Sequence, residues 1–117
     1  PNLRCLSIEN GSDWVPYLLN VLDKKKGMGR YGPWIGGRPS GRPREAFKQH
    51  CFVSPYAEDD VSALIDSIGA SQVLFGSDYP HPEGLADPSS FLNLLDGRSE
   101  AEILQVMRNN TAQLLGI

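Results

Sequence analysis

Asp78 and His81, set in Gly76-Ser77-Asp78-Tyr79-Pro80-His81-Pro82, are the side chains of this chain best suited to chemistry. A carboxylate and an imidazole at this spacing across a proline-stiffened turn can reach one cavity, and the pair recurs in divalent-metal binding and in proton transfer. The apolar run Val73-Leu74-Phe75 stops just before them, so Asp78 is expected where a strand empties into a loop. In a parallel α/β sheet, ligands sit in the crevice beyond the carboxyl ends of the strands. The plainer alternative is that Asp78 merely opens a turn, since aspartate is a favoured turn residue. Two ligands do not complete a site: catalytic zinc usually has three protein ligands and an open position. The chain has only two histidines, so further ligands would have to come from residues it does not contain.

The elements that must position these groups can be read from periodicity and punctuation. Leu3 to Ile8 reads as a strand ended by the Glu9-Asn10-Gly11 turn signal. Ser12 or Asp13 can cap a helix with the apolar stripe Trp14, Leu18, Leu19 and Leu22, with Pro16 tolerated in its first turn. Lys24, Lys25, Lys26 and Gly27 close it, the cations complementing the helix dipole. His50 to Ser54 reads as a second strand, and Asp59 to Ile68 as a helix with Val61, Leu64, Ile65 and Ile68 on one face. Glu58, Asp59 and Asp60 suit the start of that helix and need no metal to explain them. Val73 to Ser77 reads as the third strand. Asp87 before Pro88 then caps a helix that turns Phe91, Leu92 and Leu95 inward. Ser99 and Glu102 form a capping box for a helix with Ile103, Val106 and Met107, and a last turn runs from Thr111 to Leu115.

Strands alternating with helical crossovers imply a parallel sheet whose carboxyl ends share one rim. Glu9, Ser54 to Tyr56, and Asp78 to His81 are therefore expected to converge. His50, at the start of its strand, would lie about 13 Å from that rim and is expected to be structural or at the surface.

Between Gly27 and Arg44 the composition shifts to Gly, Pro and Arg, with Trp34 and Ile35 as the apolar anchors. Such a long loop is usually functional or poorly ordered. Its Arg30, Arg38, Arg42 and Arg44 could hold an anionic substrate, although a solvated loop is the simpler reading. Composition excludes more than it assigns. With 117 residues, 40% of them hydrophobic, and a net charge of -3, the chain can build a core and carries no excess of cations for nucleic acid. No apolar stretch approaches the ~20 residues of a membrane span, and the first residues given do not read as a basic-then-apolar leader. A cytoplasmic location is the default expectation. Cys5 and Cys51 lie within apolar runs and read as reduced core thiols rather than a disulfide. The opening at Pro1, with a strand pattern almost at once, looks like a cut through a longer domain.

Several stretches, in order, resemble the carboxyl-terminal part of the amidohydrolase-related family. They are Leu3-Arg4 with Ile8 to Gly11 and Trp14 to Tyr17, Arg42-Pro43 through Phe47 to Cys51-Phe52-Val53, Phe75 to Pro82, and Asn110-Thr111-Ala112 with Leu114-Leu115-Gly116. The Gly76 to His81 block is the most specific of them. This branch holds metal-dependent hydrolases and non-oxidative decarboxylases of the aminocarboxymuconate-semialdehyde type. The resemblance implies an α/β fold made of about the last three βα units of a (β/α)₈ barrel, which needs ~250 residues when whole. It implies that residues 1–117 are the end of a single barrel domain and are inactive alone. Asp78 matches the aspartate that ends the last strand, facing a divalent metal, zinc in the simplest case, and handling a proton. His81, and more weakly Glu9, become substrate-side candidates. The His-x-His pair and mid-barrel histidines of the family are not in this stretch.

Hydrolysis and non-oxidative decarboxylation are both implied, and the fold does not separate them. The expected partner is a small-molecule substrate, one bearing a carboxylate in the decarboxylase case, with a homo-oligomer left open. The competing class is a free-standing α/β binding module in which Asp78 is only a turn residue.

Overall fold

A computed structural model of the chain describes residues 2–29, 32, 34–38 and 40–117. Strand β1 (Cys5–Ser7) runs parallel to β2 (Cys51–Val53), pairing Cys5 with Cys51, Leu6 with Phe52 and Ser7 with Val53. The ladder continues one step, from the Ser54 amide to the Ser7 carbonyl at 3.0 Å. Beyond β2, Val53 and Val73 form a parallel bridge, and the Leu74 amide donates to the Val53 carbonyl at 2.9 Å. All three segments therefore point the same way, and their carboxyl ends lie on one side, as the alternation of elements predicts. The third segment is not the strand expected over Val73 to Ser77. Pairing with β2 does not extend past this bridge, and the Phe75 amide, on the other side of the segment, donates to the Val106 carbonyl at 3.3 Å.

Helix α1 (Trp14–Met28) is longer than expected and runs through Gly27. The cap expected from Ser12 or Asp13 is not made: Asp13 offers no side-chain bond to the helix, and Ser12 is engaged elsewhere, as described below. Its buried line is Val15 and Leu19, with Trp14 and Leu18 packed at the margin. Helix α2 (Pro43–His50) was not anticipated, although its signals were present. Pro43 stands at the first helical turn, Glu45 lies in that turn, and Lys48 and His50 lie in the last. His50 consequently closes a helix instead of opening a strand, with Nδ1 3.2 Å from the Leu3 carbonyl oxygen. Its structural role stands, away from the shared rim.

Helix α3 (Val61–Ile68) buries Val61, Leu64, Ile65 and Ile68, the face expected, and Asp60 caps it by accepting from the Ala63 amide at 2.8 Å. A 3₁₀ helix (Pro88–Leu95) follows, capped by Asp87. Phe91 and Leu95 are buried in it, but Leu92 is 44% exposed. The tighter three-residue turn rotates Leu92 off the inward face and brings Leu94 toward the core in its place. The last helical run is α4 (Glu100–Leu104), a π turn (Gln105–Asn109) and α5 (Asn110–Leu115). Its capping box is complete, since the Ser99 hydroxyl accepts from the Glu102 amide while the Glu102 carboxylate accepts from the Ser99 amide. Those Ser99 bonds hold the Glu102 carboxyl below its ordinary pKa, with Arg98 adding a smaller pull in the same direction.

One core unites these pieces, with Val15, Val53, Val61, Val73, Phe91, Leu95 and Val106 fully enclosed. Edge-on contacts between Trp14 and Phe47 and between Phe75 and Phe91 set its aromatic geometry. Asn110 is the polar tie within it. Its amide nitrogen donates to the Ala70 carbonyl at 2.8 Å and the Val73 carbonyl at 2.7 Å, while its Oδ1 accepts from Gln105. Only 1% of Asn110 is exposed, so Asn110→Ala strands the Val73 carbonyl away from water, while the Ala70 carbonyl keeps the Val73 amide as a donor at 3.2 Å. A stranded buried group costs about 1–3 kcal/mol, and urea denaturation is expected to show a loss in that range. A loss below about 0.5 kcal/mol would contradict this account of the tie.

Cys5 and Cys51 are both free, as expected, but they are not core thiols. Cys5 is exposed and Cys51 half-buried, because β1 is paired on one edge only among the described residues. Burial pushes the Cys51 thiol above its ordinary pKa, and the neighbouring Cys5 adds to the shift. Among the described residues, no helix is long and apolar enough to cross a membrane.

Candidate active site

Where the three parallel segments end, their loops enclose a recess of about 530 Å³ bordered by Glu9, Ser54, Tyr56, Asp78, His81 and Leu85, among others. The residues expected to converge do so. One donor atom each from Glu9, Asp78 and His81 lies within 4.8 Å of the others. His81 Nδ1 sits 3.1 Å from Asp78 Oδ1. Asp78 is the sheltered member, its side chain 22% exposed against 59% for His81.

Backbone conformation singles out the same positions. Among the described residues, Glu9 (φ 57°) and Asp78 (φ 54°) are the non-glycine residues in the left-handed region. Such conformations cost on the order of 1 kcal/mol or more and persist where surrounding structure imposes them, often at functional sites. Both lie at the end of a parallel segment, where a left-handed residue turns the chain sharply and throws its side chain over the rim. No reading of residue types could have located this signal.

The loop after Asp78 is tightly laced. The His81 amide donates to the Asp78 carbonyl at 2.9 Å, the Gly84 amide to the His81 carbonyl at 3.0 Å, and the Leu85 amide to the Ser77 carbonyl at 2.8 Å. The Tyr79 amide also reaches the Ser77 hydroxyl at 3.3 Å. On the opposite side, Asp59 Oδ2 accepts from the Ser12 amide, the Ser12 hydroxyl and the Tyr56 amide at 2.6, 2.8 and 3.0 Å. Asp59 thereby ties the loop after β1 to the loop after β2. The sequence places Asp59 among the acids that suit the start of the next helix, and residue types alone do not reveal this link.

Two carboxylates and an imidazole at these separations are a donor set of the kind that suits a divalent ion such as zinc. The lining is acidic, with Glu58 and Glu83 beside Glu9 and Asp78, and includes no lysine or arginine among the described residues. The loop arginines proposed for an anionic substrate are not brought here. Arg38 and Arg42 border a separate depression with Asp23 and Lys26, and Arg44 is paired with Asp23 at 2.6 Å. Arg30 lies outside the described residues. Helix α2 carries Arg44 against α1, where it pairs with Asp23 away from the recess.

Residues 29–117 match the sequence profile of the amidohydrolase family. The chain belongs to the amidohydrolase family. An amidohydrolase from Mycobacterium avium subsp. paratuberculosis K-10 is 42% identical to it and superposes with a TM-score of 0.85 over 97% of this chain and 28% of that one. A 2,6-dihydroxybenzoate decarboxylase in complex with 2,6-dihydroxybenzoate is 20% identical, with a TM-score of 0.61 over 88% of this chain and 32% of that one. No curated protein matches the chain. Both structural relatives are barrels of the amidohydrolase type, and this chain spans about a third or less of each. The amidohydrolase segment described here is thus a parallel α/β portion of such a barrel, and its recess opens at the carboxyl ends of the strands, where barrel enzymes work.

Proposed function

We propose that residues 1–117 form the closing part of a metal-dependent hydrolase barrel, with Asp78 as the metal-facing, proton-handling residue. The observation that carries this reading is the meeting of Glu9, Asp78 and His81 within 4.8 Å at the carboxyl rim of the parallel segments. These three side chains would hold a divalent ion, zinc in the simplest case, with the remaining ligands supplied from other parts of the barrel. Such an ion lowers the pKa of water and polarises a carbonyl oxygen.

The chain's own residues then have separable tasks. Asp78 accepts the proton of the attacking water on its carboxylate and returns it to the leaving group. His81, with Nδ1 3.1 Å from Asp78 Oδ1, stands beside that carboxylate and helps to orient it. His81, more exposed than Asp78, also faces the incoming substrate, and Glu9 borders the substrate from the opposite loop. The acidic lining favours a neutral or cationic small molecule where substrate contacts this chain. A substrate carboxylate would have to be held by the ion or by residues elsewhere in the barrel, and in the decarboxylase reading it would leave as carbon dioxide. Leu3, Leu6 and Ile8, exposed on and beside β1, are the surface on which the neighbouring barrel strand would pack.

Chelator treatment of the full-length protein tests the proposal. Activity should vanish with the ion and return when a stoichiometric divalent metal is restored, and turnover that survives complete metal removal would reject it. Product analysis separates the two chemistries, since only decarboxylation releases carbon dioxide.

A further inference from the structure

We propose that Tyr56 is a positioning residue whose phenolic hydroxyl sets the Glu9 carboxylate beside Asp78. The inference rests on the reading of Glu9 as one of the groups that hold the ion, and extends it to a residue outside the donor set.

Glu9 needs a device of this kind. Its φ of 57° is one that a residue with a β-carbon adopts at a cost. Relaxation to negative φ would swing the Cα–Cβ bond and carry the carboxylate off the rim. The Tyr56 hydroxyl opposes that relaxation by donating to the Glu9 carbonyl oxygen at 2.8 Å, across 47 residues of sequence. On the other side of the same residue, the Asn10 side chain donates to the Ile8 carbonyl at 2.8 Å. The peptide groups flanking Glu9 are thus both engaged.

Tyr56 is itself held at both ends. Its amide donates to Asp59 Oδ2, the oxygen that also receives the Ser12 amide and hydroxyl. Its ring lies against the Gly11 backbone, so closely that a β-carbon at position 11 would stand 2.8 Å from Tyr56 Cδ2. Gly11 therefore leaves room for the ring as well as supplying a φ of 58°. Ring, amide and hydroxyl together make a strut from the loop after β2 to the end of β1. The strut meets β1 at the residue that turns into the recess.

The test uses the full-length protein, stripped of metal and titrated with Zn²⁺ alone by calorimetry. Tyr56→Phe keeps the ring on Gly11 and removes only the hydroxyl. It should raise the Zn²⁺ dissociation constant about 10-fold, the lower end of what loss of a ligand-orienting partner produces, without shifting the thermal midpoint. In a Glu9→Gln background the same change should add less than about twofold, because the group being positioned is gone. A merely structural role would lower the midpoint and act equally in both backgrounds, and either result overturns the proposal. Should Tyr56→Phe fail to fold, Gly11→Ala displaces the same ring and must show the same dependence on Glu9. If Glu9→Gln weakens Zn²⁺ binding while Tyr56→Phe leaves it unchanged, the strut is refuted and Glu9 keeps its role. If Glu9→Gln itself changes nothing, the reading of Glu9 falls, and the positioning role with it.

Discussion

Replacing Asp78 by asparagine in the full-length protein is expected to lower kcat/KM by about 10²–10⁴-fold, the range attributed to a positioned general acid or base, and to reduce bound metal. The side chain keeps its size and its place in the turn, so stability should change little. What disappears is the negative charge and the basic oxygen. Asparagine cannot accept the water's proton, and its neutral oxygen is a poorer donor to a divalent cation. The carboxylate oxygen that stands 3.1 Å from His81 Nδ1 also loses its charge. A helix-surface change such as Lys25→Ala serves as the control and should leave turnover and metal content alone. Unaltered metal content and turnover in Asp78→Asn would reject the assignment.

The second large effect is expected from Gly84→Ala, a change that touches no reacting group. A β-carbon on residue 84 would stand 2.5 Å from the Asp78 carbonyl oxygen, 2.7 Å from its carbon and 2.8 Å from the Ser77 carbonyl oxygen. These are backbone atoms and cannot swing aside. The turn must open, and the bonds that lace it, from the Leu85 amide to Ser77 and from the His81 amide to Asp78, must stretch. Overpacking of this kind costs about 1–3 kcal/mol, and a displacement near 1 Å at a reacting group can cost about 10²-fold in rate. Gly84→Ala is therefore expected to fold with a lowered thermal midpoint and to lose about 10²-fold in kcat/KM. Wild-type kinetics in this variant would show that the turn does not set the position of Asp78. The opposite expectation holds for Gly97, which has open space around its α-carbon. Its cost on substitution is conformational, through a φ of 81°, and should appear in stability alone.

Much of the secondary structure was legible because its signals are local. The buried face of α3, the Asp87 cap and the Ser99–Glu102 box each depend on residues within one or two turns of one another. Helix α2 was equally local and was overlooked, since the Gly, Pro and Arg content of the preceding loop masked the signals at Pro43 and Glu45. Leu92 departs from the expected inward position for a subtler reason: the α-helical period does not hold in a segment that winds as a 3₁₀ helix. The third strand failed because strand pairing is a tertiary property. The partner taken by the Phe75 amide lies on the carboxyl-terminal helical run, 31 residues further along.

By itself, then, the sequence determined the alternation of elements, the family and the identity of Asp78, His81 and Glu9 as groups worth following, because apolar period, caps and the Gly76 to His81 block are written in adjacent residues. Tertiary structure alone decided how closely these three side chains, expected on one rim, approach one another, that the loop arginines Arg38, Arg42 and Arg44 stay away from them, and that Asp59 and Tyr56 brace that rim. Those outcomes depend on left-handed backbone at Glu9 and Asp78 and on hydrogen bonds that span 47 residues. Neither is encoded in residue type or spacing, since both arise only when packing brings separate loops within reach and holds them against their local preference.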